Sequence, residues 1–278
     1  MCRLFGFRSV IPSQVHRSLV NADNALIAQS ERHPDGWGVA YYVDDAPHVT
    51  RSADSALTDH LFRRVSGVVS SQTVLAHVRK ATVGERNVLN CHPFQYGRWT
   101  FAHNGEIPAF ERCKGAIEEM VSPRLRPFIL GDTDSERIFF LFLTHLSEQA
   151  PLSQRLGIDV VAAALGRTVS TVRALADGAG APSPSLLTLM VTDGVTMAAV
   201  RWGKELYWST HKGRCGDRDS CAHFADVCEA PSLTGFVNHL IMSSEPVIDD
   251  NVWEAFREGE ILGVDWRMRV SRHFVDAA

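Results

Sequence analysis

Cys2 stands directly after the initiator methionine, and that position can do chemistry. Once Met1 is removed, one residue carries both a thiol and an α-amine. The unperturbed amine titrates at about 7.7–8.0 and the thiol at about 8.5. The amine can therefore take the thiol proton near neutral pH, directly or through one water, so nucleophile and base come in a single residue. The plainer reading of an isolated free cysteine is a small buried hydrophobe.

Three further segments offer chemistry. Phe101-Ala102-His103-Asn104-Gly105 ends an expected strand. An Asn side-chain amide beside a Gly backbone N–H makes a two-donor oxyanion hole, and glycine lets backbone approach a ligand. An ordinary Asn-Gly turn is the alternative. His77-Val78-Arg79-Lys80-Ala81-Thr82-Val83-Gly84 puts an arginine at the end of a buried strand. A guanidinium there is costly unless it meets an anion; a substrate α-carboxylate and an internal Asp or Glu are both candidates. In Gly131-Asp132-Thr133-Asp134-Ser135-Glu136 a carboxylate opens a helix. Asp134 there can cap the helix or bind a substrate ammonium.

The order of these segments resembles that of the class II glutamine amidotransferases: Cys near position 1, then Arg-x-x-Thr-x-Gly, His-Asn-Gly and Thr-Asp-Ser-Glu. Asn90-Cys91-His92-Pro93 is similar to the Asn-x-His-Pro segment of the glucosamine-6-phosphate synthase glutaminase domain. Arg32-His33-Pro34-Asp35-Gly36-Trp37-Gly38 resembles that family's Arg-Gly-x-Asp-x-x-Gly segment, in a form closer to short stand-alone members such as the ergothioneine-pathway γ-glutamyl hydrolase. Ser243-Ser244-Glu245-Pro246, Trp253 and Gly259-Glu260 look like those members too. The motifs cover roughly residues 2–140. The resemblance implies Cys2 as nucleophile, Asn104 and Gly105 as oxyanion hole, Arg79 on the substrate α-carboxylate and Asp134 on its α-ammonium. Thr82 would help position substrate and Arg32 would support the N-terminal residue. The implied fold is the four-layer αββα sandwich of the N-terminal-nucleophile hydrolases, an α+β arrangement in one domain over 1–278. No cofactor and no metal are implied. No phosphosugar or phosphoribosyl motif follows Asp134, so the acceptor is water or a separate synthase subunit receives the ammonia.

Other clusters carry weaker signals. Cys215, Cys221, His223 and Cys228, with His211 before them, have the ligand types for zinc but not the tight spacing; a loop with incidental cysteines is the better reading. Cys91 and His92 are adjacent, and neighbours on an extended chain point apart. His77 and His103 read as satisfied core histidines, and the six tryptophans as packing.

The elements that must position these residues follow from periodicity. Strands are expected at 2–8, 37–43, 72–78, 98–103, 185–192, 195–202, 205–209, 236–243 and 266–274, with a hairpin break at Asp44-Asp45 and Pro47. Helices are expected at 14–30, 54–65, 134–149 and 160–176, and a connector at 179–184. Strands in both halves with long helices between suit two sheets sandwiched by helix layers, not regular βαβ alternation. There is no G-x-G-x-x-G or Walker loop.

The chain has 278 residues, 45% hydrophobic and 22% charged, with a formal charge of −4. Such a chain is an ordinary globular protein and offers no electrostatic case for nucleic acid or an anionic membrane. No stretch approaches the roughly 20 apolar residues of a membrane helix, and the start lacks the layout of a signal peptide. Both place the protein in the cytosol, where six cysteines stay reduced.

Overall fold

The computed structural model describes residues 2–22, 24–178 and 181–276. Met1, whose removal the sequence leads one to expect, and Ala179-Gly180 of the expected connector lie outside the described residues. The described strands are β1 (Arg3–Gln14), β2 (Trp37–Val43), β3 (Ala46–Ser52), β4 (Ser70–Val78), β5 (Phe94–Tyr96), β6 (Trp99–Glu106), β7 (Leu186–Thr192), β8 (Met197–Val200), β9 (Tyr207–Ser209), β10 (His239–Ser243), β11 (Glu254–Ala255), β12 (Glu260–Val264) and β13 (Val270–Phe274). The helices are α1 (Leu26–Gln29), α2 (His60–Val68), α3 (Lys114–Met120), α4 (Asp134–Ser147) and α5 (Ile158–Ala176).

The strands form two sheets. One runs β11-β9-β10-β1-β4-β2-β3 and the other β13-β12-β8-β7-β6-β5. Neighbouring strands pair antiparallel. Alternate side chains along each strand sort into separate layers, as the two-residue period of a strand requires. Leu4, Leu75, Ala102, Met190, Ala199 and Leu262 pack between the sheets. Phe5, Phe7, Val74, Ala76 and Val78 face the layer holding α1 and the α2 residue Phe62. Phe101, Leu189, Val191 and Ala198 face α4 and α5. Strands covered on both faces lose the polar alternation of an exposed sheet. The result is the αββα order expected from the sequence.

α4 shows why this sandwich holds. Every residue from Asp134 to Leu146 is buried. Phe139 stacks on Phe101 of β6 with ring centroids 5.3 Å apart. Each such buried aromatic contributes about 1.5–3 kcal/mol by leaving water.

Several elements depart from expectation. The apolar spacing over 14–30 predicts one helix, but the chain makes a π-type turn at Arg17–Asn21 and then the short α1. Asn24 explains the break: its amide donates to the Pro246 carbonyl at 2.7 Å and its Oδ1 accepts the Ile248 N–H at 2.8 Å, drawing this segment to the chain's tail. β1 also runs on to Gln14, beyond the strand expected at 2–8. The Asp44-Asp45 turn is as expected, both residues having positive φ (49° and 65°), the conformation two-residue hairpins favour.

Candidate active site

Cys2 lies just ahead of β1, whose Arg3 is in register with Val78 of β4. The thiol therefore meets the residues that continue β4. Lys80 N–H donates to Cys2 Sγ at 3.4 Å, and the thiol donates back to the Lys80 carbonyl at 3.4 Å. Cys2 is 8% exposed. Burial pushes its thiol pKa up; the Lys80 amide and the charge of Arg79 pull it back, and Asp134 pushes it up again. Cys2 thus lies within electrostatic reach of both Arg79 and Asp134.

Arg79 is held on all sides. Its N–H donates to Gly36 O at 2.7 Å, and its carbonyl accepts Asp35 N–H at 3.0 Å. The Asp35 carboxylate accepts Ala81 N–H at 2.9 Å. The side chain, in a residue 2% exposed, donates to the carbonyls of Val83 (2.9 Å), Gly84 (3.2 Å) and Glu85 (3.2 Å). No carboxylate among the described residues pairs with it, so the internal salt bridge left open by the sequence does not form. Carbonyls orient a guanidinium without neutralising it, which leaves this buried cation suited to an anionic ligand.

Asp134 is 3% exposed. One carboxylate oxygen accepts Ile107 N–H at 2.8 Å; the other accepts Ser135 N–H at 2.7 Å and the Ser135 hydroxyl at 3.1 Å. The capping role falls to its neighbour: Thr133 Oγ1 accepts Glu136 N–H at 3.2 Å, a contact worth about 1 kcal/mol. No lysine or arginine among the described residues pairs with Asp134. Asn90 joins the two clamp segments, donating to Glu85 O at 3.0 Å and accepting Asp132 N–H at 2.9 Å. The Glu136 carboxylate secures Leu130 and Gly131 N–H at 3.1 and 2.7 Å.

Asn104 and Gly105 lie within β6, opposite Thr188 and Leu187 of β7. They are strand residues, so the Asn-Gly turn does not occur. A β-carbon at Gly105 would collide with the Leu186 carbonyl, so only glycine fits. Asn104, 3% exposed, donates one amide hydrogen to Ser244 Oγ at 3.3 Å. The same hydroxyl accepts Leu4 N–H at 2.9 Å, and Ser244 N–H donates to Leu4 O at 3.0 Å. Ser244 thereby fixes Asn104, in one sheet, against the start of β1 in the other. The sequence had singled out its segment without giving it a role.

A family model described as glutamine amidotransferases class-II matches residues 1–268. The chain belongs to the class II glutamine amidotransferases. Membership makes it an enzyme of the glutamine amidotransferase type. It is similar to the probable glutamine amidotransferase DUG3 of Saccharomyces cerevisiae, 32% identical over 73% of this chain and 64% of the yeast protein; the match thus spans under two thirds of that relative. It is also similar to the γ-glutamyl-hercynylcysteine sulfoxide hydrolase of Mycobacterium tuberculosis, 27% identical over 79% of this chain and 70% of that one. A solved glutamine aminotransferase class-II domain protein from Silicibacter pomeroyi shares the fold, with a TM-score of 0.64 at 21% identity, covering 99% of this chain and 100% of that one.

Not every expected site residue is drawn into this amidotransferase's cluster. Thr82 is exposed on the loop that Arg79 fastens. Arg32 is exposed at the end of the Ser30–Arg32 turn, whose buried residue is Ser30. No hydrogen bond or ion pair joins either to Cys2. His77 and His92 lie against each other with ring centroids 4.2 Å apart and their planes tilted by 42°, and none of their four ring nitrogens has a hydrogen-bond partner. Burial, then Arg79, lowers the His77 pKa to about 3; both rings are neutral packing. His103 is satisfied, its two ring nitrogens meeting Ser135 Oγ at 2.9 Å and Leu186 O at 2.8 Å.

Cys215, Cys221, His223 and Cys228 line a separate cavity of about 660 Å³ beside the later part of β1. Among the described residues no group of three or more His, Cys, Asp or Glu could hold a metal ion. No helix of the described residues is long and apolar enough to cross a membrane.

Proposed function

We propose that this chain, as one domain over 1–278, hydrolyses the γ-amide of glutamine or of a γ-glutamyl conjugate through a thioester on Cys2. Arg79 takes the substrate α-carboxylate and Asp134 its α-ammonium, which sets the γ-carbonyl carbon against Cys2 Sγ. Loss of Met1 frees the α-amine, which accepts the thiol proton. The C–S bond forms, the carbonyl oxygen takes up negative charge, and the second Asn104 N–H and the Gly105 N–H stabilise it; one such donor is worth about 3 kcal/mol. The C–N bond then breaks and the α-amine passes its proton to the leaving amine. Water next attacks the thioester, glutamate departs, and the sulfur regains a proton. Thr82 meets the substrate from the solvent side, and Arg32 supports the N-terminal residue through the 33–36 segment. The reaction is placed in the cytosol, in keeping with six cysteines that are all free.

The observation that carries this reading is a buried guanidinium without a carboxylate partner among the described residues, one residue from the Lys80 amide that touches the Cys2 sulfur. The γ-glutamyl hydrolase among the relatives supports the choice of amide. The test is the intact mass of the purified chain before and after a glutamine-analogue electrophile. Loss of one methionine and a single adduct that Cys2→Ala abolishes is the expected result; an adduct that survives Cys2→Ala overturns it. An ammonia-supplying subunit active only when docked on a separate synthase is the competing reading. Full turnover of glutamine or a γ-glutamyl peptide by the isolated chain excludes that alternative.

A further inference from the structure

Arg79 and Asp134 belong to separate stretches of chain, yet a substrate with both an α-carboxylate and an α-ammonium needs them at one fixed spacing. Arg79 spends its side chain on the carbonyls of Val83, Gly84 and Glu85. Asp134 opens α4 directly after the 131–133 segment. Asn90 bridges the two. Its Nδ2 donates to Glu85 O at 3.0 Å, the same carbonyl that accepts Arg79 Nη1 at 3.2 Å. Its Oδ1 accepts Asp132 N–H at 2.9 Å. One planar amide thus connects the loop held by Arg79 with the segment that leads into Asp134.

The amide is itself held in place. Asn90 is 1% exposed, and its N–H donates to Asn87 O at 3.0 Å. It closes the short turn Val88–Asn90, whose Leu89 N–H is taken by the Asn87 side chain at 3.0 Å. Both segments make room for it. A β-carbon at Gly131 would collide with Asn90 Oδ1, and one at Gly84, where φ is +75°, would stand 3.0 Å from Asn90 Nδ2. On the far side the 131–133 segment is tied to α4. Arg137 donates to Gly131 O at 2.6 Å and to Thr133 O at 3.2 Å, and Glu136 accepts Gly131 N–H at 2.7 Å. Displacing either segment alone would leave a buried donor or acceptor of Asn90 unpaired.

We infer that Asn90 is a positioning residue that sets the spacing between the two halves of the amino-acid clamp, acting through Glu85 and Asp132. This rests on the reading of Arg79 and Asp134 as those halves and deepens it. A ligand that engages both halves gains from a spacing fixed before it arrives, as two linked contacts do over two independent ones. A ligand that engages only one half gains nothing from the joint.

The test is equilibrium binding to the full chain carrying Cys2→Ala, which removes turnover from the measurement. Three amides are titrated by calorimetry: L-glutamine; 4-carbamoylbutanoate, which lacks the α-ammonium; and 4-aminobutanamide, which lacks the α-carboxylate. In the Cys2→Ala chain glutamine should bind about ten-fold or more tighter than either truncated amide. Adding Asn90→Ala should weaken glutamine about ten-fold and shift each truncated amide by less than about three-fold. Asn90→Asp keeps the acceptor for Asp132 N–H and loses the donor to Glu85 O. It should give the same pattern, and it carries the test if Asn90→Ala does not fold. Equal weakening of all three ligands is what a merely structural role would give, and it overturns the joint. So does an unchanged affinity for glutamine, or a loss that glutamine shares with only one truncated amide. Each of these leaves the clamp reading standing. Glutamine binding no tighter than the truncated amides in the Cys2→Ala chain overturns the clamp reading, and this inference with it.

Discussion

Asn104 donates to the Ser244 hydroxyl at 3.3 Å, and through it the amide proposed to face the developing oxyanion is anchored to the strand that follows Cys2. The contact crosses from one sheet to the other. It spends one of the two Asn104 amide hydrogens on position and leaves the second for the substrate. Ser244→Ala should therefore lower kcat about ten-fold with little change in KM, because the donor is loosened, not removed. Steady-state kinetics check this; a rise in KM alone would count against the positioning role.

Asn104→Ala removes the donor outright. A drop in kcat of about 10²–10³ is expected, with substrate affinity held by Arg79 and Asp134. Single-turnover rates separate the acylation step from thioester hydrolysis and show where the loss falls.

Cys2→Ala should abolish amine release while leaving far-UV circular dichroism and melting temperature close to wild type. The side chain makes two weak sulfur contacts at 3.4 Å, so little stability depends on it.

Arg79→Lys keeps the charge but cannot reproduce three simultaneous contacts to carbonyls. The loop at 83–85 loses its fastening and the substrate carboxylate loses a fork-shaped partner. KM should rise about 10–100-fold, matching the about 1.5–3 kcal/mol of hydrogen bonds to a charged group. Thr82→Ala and Arg32→Ala, at exposed positions, should each change kcat/KM by less than about ten-fold, a ranking that one kinetic series tests.

The buried His77–His92 pair makes stability depend on pH. The folded pKa of His77 is depressed to about 3 and that of His92 lies well below the usual value. The unfolded chain binds these protons near pH 6.5, so the neutral pair's stabilisation is complete above that pH and is lost as pH falls toward the folded pKa. Each group contributes a slope of about 1.4 kcal/mol per pH unit in that window. The melting temperature should fall between pH 7 and 5, and the fall should be shallower in His77→Phe. Equal slopes in the two proteins would remove His77 as the cause.

Much of this was legible in the sequence because it is local. Runs of apolar and β-branched residues gave the strands around Leu75 and Leu189, and Asp134-Ser135 marked the start of α4. Asp44-Asp45 announced its turn by composition. What stayed hidden depends on distant partners. Nothing near Asn24 reveals that Pro246 and Ile248 will break the helical pattern there. Nothing near Ser244 reveals Asn104. Arg79 could be suspected from its burial, yet only the folded loop showed backbone carbonyls, which the sequence did not suggest, where an internal acid had been one of two candidates. The Asn-Gly pair illustrates the limit of local chemistry: its residue types favour a turn, but pairing with Thr188 and Leu187 keeps it in a strand.

Cys2 and Ser244 lie far apart in the sequence, and the proposed reactive centre draws on both. During synthesis the sulfur emerges from the ribosome first, while the hydroxyl that steadies its oxyanion donor arrives among the last strands. A nascent or truncated chain thus carries the thiol before Ser244 is in place. The proposed site is complete only once β10 has paired with β1, so a chain that ends before β10 is expected to cleave the amide more slowly than the full chain.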